Sequence, residues 1–416
     1  MPARQIDSLV TPKLVSHAVR NPANMPPDAK ADKAAKAQKE LDTVVQAAVA
    51  LSQQLQTALT AIHRDPTTTA LPESKDDAAA DTNRIDPLAL ARDAATLIRA
   101  HATKLSLLLV NEPFTPSAIT AVVRELTSAA IPSLAASLES CPPHVYTAAY
   151  RKELAFRCRI VLLELSQLLE KVPRDGKSLS SKEQGFAGGK GSIALTGLVW
   201  TACDETISLA NKGVGGFFVS KVEEWRDTLK DVLEELKEWG DEEPDDDDDE
   251  QTGEDDLDDE PQTTQEMLDD FMNSGQTIPR SDPDKIRPRL ETSLKRLRLV
   301  TLLYQAIVKR RLKKLPPIPQ TPAQPSTSGG SDAAKAAKAI PERLDEAAKL
   351  LALLPDRFGD LAAAFYELSP VEIDQAMDQC FLDAFAASEL LSRSWEGAQD
   401  EFTEWTEKFQ GEVRKE

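Results

Sequence analysis

Cysteine, histidine and aromatic residues are all scarce in this sequence. The four cysteines (Cys141, Cys158, Cys203, Cys380) lie far apart, with no CxxC pair. That spacing argues against a disulfide framework and against a zinc module, and it fits a reducing compartment. Of the four histidines, His17, His63 and His101 are isolated. The fourth sits in Cys141-Pro-Pro-His144, but two ligands without a second pair make no zinc site. No apolar run approaches the ~18 residues of a membrane span. No secretory apolar segment opens the chain. Residues 1–30 carry Arg4, Lys13 and Arg20 among several prolines. That is thin support for a transit peptide, and Met25 is a candidate start of the folded part.

Catalytic motifs are missing as well. There is no GxSxG, no HExxH and no calcium-loop pattern. Gly185-Phe-Ala-Gly-Gly-Lys190-Gly-Ser192 looks like a phosphate loop but has the wrong register. Only three residues separate Gly185 from the Gly189-Lys190 pair, Gly191 stands where Ser or Thr should follow, and no strand precedes it. The bland reading is a loop. Asp245–Asp249 lacks the glycine turns of a specific cation cage. These absences point to a protein that is not an enzyme, with no catalytic residue, cofactor or metal.

What is present is helix-forming material and a segregated charge. The net charge is −20, yet residues 241–260 alone hold 15 acids and no base; without them the charge is −5. Residues 285–314 then hold 11 bases against the single acid Glu291. The charge is therefore a local device. Five stretches read as linkers: 1–30, 64–86, 172–192, 240–282 (acidic) and 315–332 (Pro, Ser, Gly). The acidic one has too few apolar side chains to offset the entropy of ordering, which predicts disorder.

Between the linkers, helical periodicity is nearly continuous. Leu41, Ala48, Leu55 and Ile62 repeat every seven. Asp86–Pro87 and Thr115–Pro116 read as capped helix starts. Leu154 to Leu169 and Ile193 to Leu209 carry further stripes, the second with Trp200. Beyond Gly213–Gly216, the residues Phe218, Val222, Trp225, Leu229, Val232, Leu236 and Trp239 step by four and three. From Ile373 to Phe409 one stripe runs for almost 40 residues, about 55–60 Å if unbroken. Alternating strand patterns are absent. The predicted fold class is all-α, with up-and-down antiparallel helical bundles and disordered acidic and Pro-rich linkers. The predicted organisation is a disordered segment 1–30, a bundle over 31–212, and a second over 213–416 interrupted at 240–282 and 315–332.

Such stripes ordinarily mark buried bundle faces. The end of the last stripe concentrates Trp395, Phe402, Trp405 and Phe409, which pack across a bundle or offer an interaction surface. These four are the partner-binding candidates, with the 218–239 helix second. Lys309, Arg310, Arg311, Lys313 and Lys314 resemble a nuclear-localisation patch; ordinary surface charge is the plain alternative. Nucleic acid is a disfavoured partner, because phosphate would be repelled by an acidic chain. The 241–260 run could instead mask the basic helix, with Thr252-Gly-Glu-Asp255 as an acidic-directed kinase site tuning the contact.

Two stretches carry a family resemblance. Ala102-Thr-Lys-Leu-Ser-Leu-Leu-Leu109, followed by Pro113 and Pro116, and Thr196-Gly-Leu-Val-Trp200-Thr-Ala-Cys203-Asp204 resemble the cyclin-D1-binding protein 1 family, also called Grap2 and cyclin-D-interacting proteins. The order of features agrees: a long helix to Leu236, an acidic insert, a Lys/Arg-flanked helix, then C-terminal helices. The resemblance spans roughly 36–410. It implies talin- or vinculin-like bundles and a non-enzymatic negative regulator of cell-cycle progression and transcription. Implied partners are D-type cyclins and helix-loop-helix factors, with self-association as a homodimer, in cytoplasm and nucleus and with no membrane. The matching residues are structural, so no binding residue carries over. The same bundle physics also suits a cytoskeletal adaptor, which actin co-sedimentation would separate from a regulator.

Overall fold

The structure, a computed structural model, describes residues 27–68, 86–185, 191–242, 277–319 and 331–414. Most of the predicted acidic linker, the core of the Pro-rich one, the Thr252 site and Phe186–Lys190 of the glycine loop lie outside them. Among the described residues there are helices and turns and no strand, so the chain is all-α.

Five helical segments close a first ring. They are α1 (Pro27–Arg64), α2 (Pro87–Val110), the segment α3 (Pro116–Glu125) to α4 (Ile131–Glu139), α6 (Ala148–Glu170) and the first half of α8 (Ser192–Asp241). Around the ring, α1 packs on α6, α6 on α8, α8 on α2, α2 on α3–α4, and α3 back on α1. The one-turn helices α5 (Pro143–Tyr146) and α7 (Ser181–Gln184) are connectors. Asp86 caps α2 as its sequence predicts, accepting from Leu88 N at 2.9 Å, with Pro87 in the first turn. Thr115 does not cap α3; its hydroxyl donates instead to the Pro113 carbonyl at 3.0 Å. A π turn at Leu126–Ala130 joins α3 to α4 just before Pro132, whose missing N–H breaks the regular ladder.

The second ring uses the C-terminal half of α8 with α9 (Ile286–Arg310), α10 (Ser331–Tyr366) and α11 (Pro370–Leu390). A last helix, α12 (Glu401–Val413), lies on α9 and α11. The 218–239 stripe is core here: Phe218, Val222, Leu229, Leu236 and Trp239 are buried, which corrects its reading as partner-facing. Apolar side chains of both rings form one continuous core.

The chain crosses from one ring to the other inside α8, at Gly213. Its φ of 62° and ψ of −172° break the helix there, and a Cβ would meet nothing within 4 Å. Glycine is present for its backbone, since space is not limiting. The joint is braced on both sides. Tyr150 is fully buried and donates to the Leu209 carbonyl at 3.2 Å, and its ring meets Phe217 edge-on at 5.5 Å. From the second ring, Asp345 of α10 accepts from Ala148 N and Ala149 N at 2.6 and 2.8 Å. A carboxylate thus caps the positive end of α6 across the two bundles.

The expected 40-residue terminal helix is two helices separated by a loop, Leu391–Gln399. Gly397 turns the chain at φ 84°, and Asp400 restarts it with a capping box closed by Thr403. Two arginines hold that loop. Arg311, 1% exposed, donates to the carbonyls of Leu391 and Ser392 and makes a two-pronged pair with Asp400 at 2.7 and 2.9 Å. Arg343 of α10 donates to the carbonyls of Leu390, Arg393 and Ser394. The helix can stop here because guanidinium groups stand in for its N–H donors at five consecutive carbonyls, residues 390–394.

Candidate protein-interaction face

The C-terminal aromatic set is largely internal. Trp395, Phe402 and Phe409 are buried; only Trp405 is half-exposed. Trp395 donates to the Arg311 carbonyl at 2.9 Å and lies under the Arg343 guanidinium, 4.8 Å from its ring centre. Phe402, Trp405 and Phe409 stack in a row along α12, 5.6 and 5.5 Å apart, and Arg311 caps the row 4.4 Å over Phe402. These rings seal the end of the second bundle, which corrects their placement on a partner-facing surface. Arg311 leaves the predicted localisation patch for the same reason. Arg310 is half-exposed and pairs with Glu401 at 3.2 Å, whereas Lys309, Lys313 and Lys314 are exposed.

The four cysteines are buried, and burial pushes the Cys141, Cys203 and Cys380 thiols up to about 12. They act as packing groups. No cluster of three or more His, Cys, Asp or Glu that could hold a metal exists among the described residues. An open groove of about 420 Å³ lies between α1 and the end of α6, floored by Val45, Val49, Leu169 and Val172 and rimmed by Glu170 and Arg174. It gathers no nucleophile or acid–base pair.

The two stretches that carry the family resemblance meet on one surface. α2 and α8 run antiparallel, with Arg99 paired to Asp204 at 3.0 Å and Trp200 Nε1 donating to Thr103 Oγ1 at 2.9 Å. Thr103 Oγ1 also donates to the Arg99 carbonyl at 2.9 Å, so both its partners are fixed. Arg99 sits 5.5 Å from the centre of the Trp200 ring. The indole is therefore held by a hydrogen bond at its edge and a cation beside its face. It is nevertheless 37% exposed.

One turn further, the same register carries Leu107 to the level of Gly197, with Ile193 one turn beyond it. Leu107 is 58% exposed and Ile193 56%. Gly197 lies between Ile193 and Trp200 on the α8 strip, and a Cβ there would meet nothing within 4 Å. Gly197 thus leaves a gap, a notch one side chain wide, between the exposed Ile193 and the held indole of Trp200, on a face bordered by the Arg99–Asp204 pair. Large apolar side chains grouped on a helical surface are a recognition feature. The sequence carried a trace of it. Ile193 and Trp200 are seven apart but stand off the buried stripe Leu195, Val199, Ala202 and Thr206.

Residues 91–242 match the family described as Grap2 and cyclin-D-interacting, N-terminal. An uncharacterized protein of Schizosaccharomyces pombe is 27% identical over 159 residues, covering 36% of this chain and 45% of the relative. The chain thus spans less than half the length of the curated relative it matches. The matched region contains α8 and nearly all of α2, including the whole of the exposed face just described. The likeness to that family is thus carried by this region of the chain.

Proposed function

We propose that the chain is a helical scaffold for protein recognition, and that the α2–α8 face is where it grips its partner. The observation that carries this reading is the meeting of Leu107, Ile193, Gly197 and Trp200 on one exposed surface, with the indole locked by Thr103 and Arg99. A pre-set aromatic loses little freedom on binding, which favours it as an energetic anchor. The notch at Gly197 lets a partner helix approach closely, and helix-in-groove contact is the recognition mode that fits such a surface. The family description supports a cyclin D as the partner class. In the finer form of the reading, the protein holds such a cyclin away from its targets and restrains cell-cycle progression, in both nucleus and cytoplasm. No helix of the described chain is long and apolar enough to cross a membrane.

The test pairs Trp200→Ala with Leu107→Ser in the full chain and measures affinity for a purified D-type cyclin by calorimetry. Loss of an anchoring Trp costs about 2 kcal/mol or more, roughly thirtyfold in Kd. Helicity by circular dichroism should be unchanged. Equal affinity of the variant and parent chains would remove the face from the proposal; no binding by either would remove the cyclin.

A further inference from the structure

The outward edge of α9 is a straight stripe built at steps of four and three: Glu291, Lys295, Arg298, Leu302, Gln305 and Lys309, all exposed. The 3-10 turn Leu312–Lys314 extends it with Lys313 and Lys314. Eight of the eleven bases in residues 285–314 divide into two groups. Arg289 is tied to Asp374 at 3.0 Å, Arg310 to Glu401, and Arg311 is buried on Asp400. Lys295, Arg298, Lys309, Lys313 and Lys314 have no ion-pair partner among the described residues. In the middle stands Leu302, 46% exposed.

We propose that this face of α9 is a docking site for an acidic amphipathic segment of a partner protein. Charge complementarity sets the sign of the partner, and Leu302 sets its class. A polypeptide helix can place an apolar side chain on Leu302 with carboxylates one and two turns to either side. A phosphodiester backbone offers charge but no apolar group at that spacing. α8 ends beside the start of α9, where Arg287 donates to the Gly240 carbonyl at 3.3 Å. Lys309 lies 22 residues beyond Arg287, about 33 Å away at helical rise, so a partner helix laid along the whole stripe runs for about six turns. The site is independent of the α2–α8 face, so either can fail alone.

The experiment uses the full chain and a fluorescein-labelled helical peptide of Glu with Leu at every fourth position, read by anisotropy. Binding should occur and weaken as salt rises. The variant carrying Lys295→Glu, Arg298→Glu and Lys309→Glu removes three exposed charge contacts, which predicts about tenfold weaker binding or more. Leu302→Ser should weaken it at every salt concentration. The same variants should keep the parental circular dichroism and the parental affinity for a D-type cyclin. Undiminished peptide binding by the triple variant overturns the site. Equal competition by duplex DNA in parent and Leu302→Ser chains overturns the partner class in favour of any polyanion. Binding that appears only once residues 241–260 are replaced by a Ser-Gly run overturns the trans partner in favour of the chain's own acids.

Discussion

Two regions of this molecule combine tryptophan with arginine, and they do opposite things. At the end of the second bundle, Trp395 lies under Arg343 and Phe402 under Arg311, all turned inward. On the α2–α8 face, Trp200 lies beside Arg99 and is turned outward. The difference is what the guanidinium bonds to. Arg311 and Arg343 spend their donors on loop carbonyls from Leu390 to Ser394, which have no helical partner of their own. Arg99 reaches only a surface carboxylate, Asp204. The first arrangement holds a fold together, because its donors reach loop carbonyls at a buried or half-buried bundle end, and the Leu391 carbonyl is fully buried there. The second costs the fold little to lose and holds a ring in position.

The sharpest way to break this comparison is Arg311→Ala. It leaves the buried Leu391 carbonyl without its donor, leaves the Ser392 carbonyl with Thr403 Oγ1 alone and Asp400 with only its cap bonds from Phe402 N and Thr403 N and the Thr403 hydroxyl, and uncovers Phe402. The expected loss is about 3–5 kcal/mol, read by urea unfolding. α12 should be released first, visible as early hydrogen exchange at Phe402–Phe409. Trp200→Ala, by contrast, should cost less than about 1 kcal/mol of stability, since the ring is already partly in water. If the two variants destabilise the chain equally, the division into a sealing cluster and a recognition face is wrong.

Burial was legible in part from sequence, and the failures are instructive. Spacing at seven and at four-three steps placed Leu41, Leu55, Leu229 and Leu236 on helix faces correctly, because a stripe is a property of local geometry. The same reasoning ran Ile373 to Phe409 into one helix. It could not see that Arg311, 80 residues away, would satisfy the carbonyls of a break at Leu391. Gly397 was the only local hint. Arg311 likewise read as one of a basic run, because charge runs are ordinarily solvated, and only its partner Asp400 explains the exception. The α2–α8 face was missed since Leu107 and Ile193 belong to strong apolar runs; which apolar residue is left over emerges only after the ring closes.

Next in size is the carboxylate of the sealing cluster. Hydrogen bonds from Arg311 hold Asp400 down to about 2, against burial, which pushes it up. The unfolded value is about 3.9. A folded value below the unfolded one means stability that is present above about pH 4 and lost as pH falls toward 2. Asp400→Asn keeps the shape but drops the charge. It should cost about 1.5–3 kcal/mol at pH 7. It should also flatten the fall in urea midpoint between pH 4 and 2. An unflattened fall would assign that acid sensitivity to other carboxylates and weaken the case for Arg311 and Asp400 as the clasp.

The smallest expected effect is the most discriminating, because it has opposite signs for folding and for recognition. Gly197 sits inside a helix, where glycine costs about 0.5–1 kcal/mol relative to alanine. Nothing in the folded chain demands it: a Cβ there meets no atom within 4 Å, and no positive φ requires it. Gly197→Ala should therefore raise stability by about that amount. If the notch between Ile193 and Trp200 seats a partner backbone, the added methyl should weaken binding of a D-type cyclin even though the protein is more stable. A variant that gains stability and keeps full affinity would show that the partner does not come close at this point. The recognition face would then shrink to the indole and its apolar neighbours, with the glycine a tolerated flaw in α8.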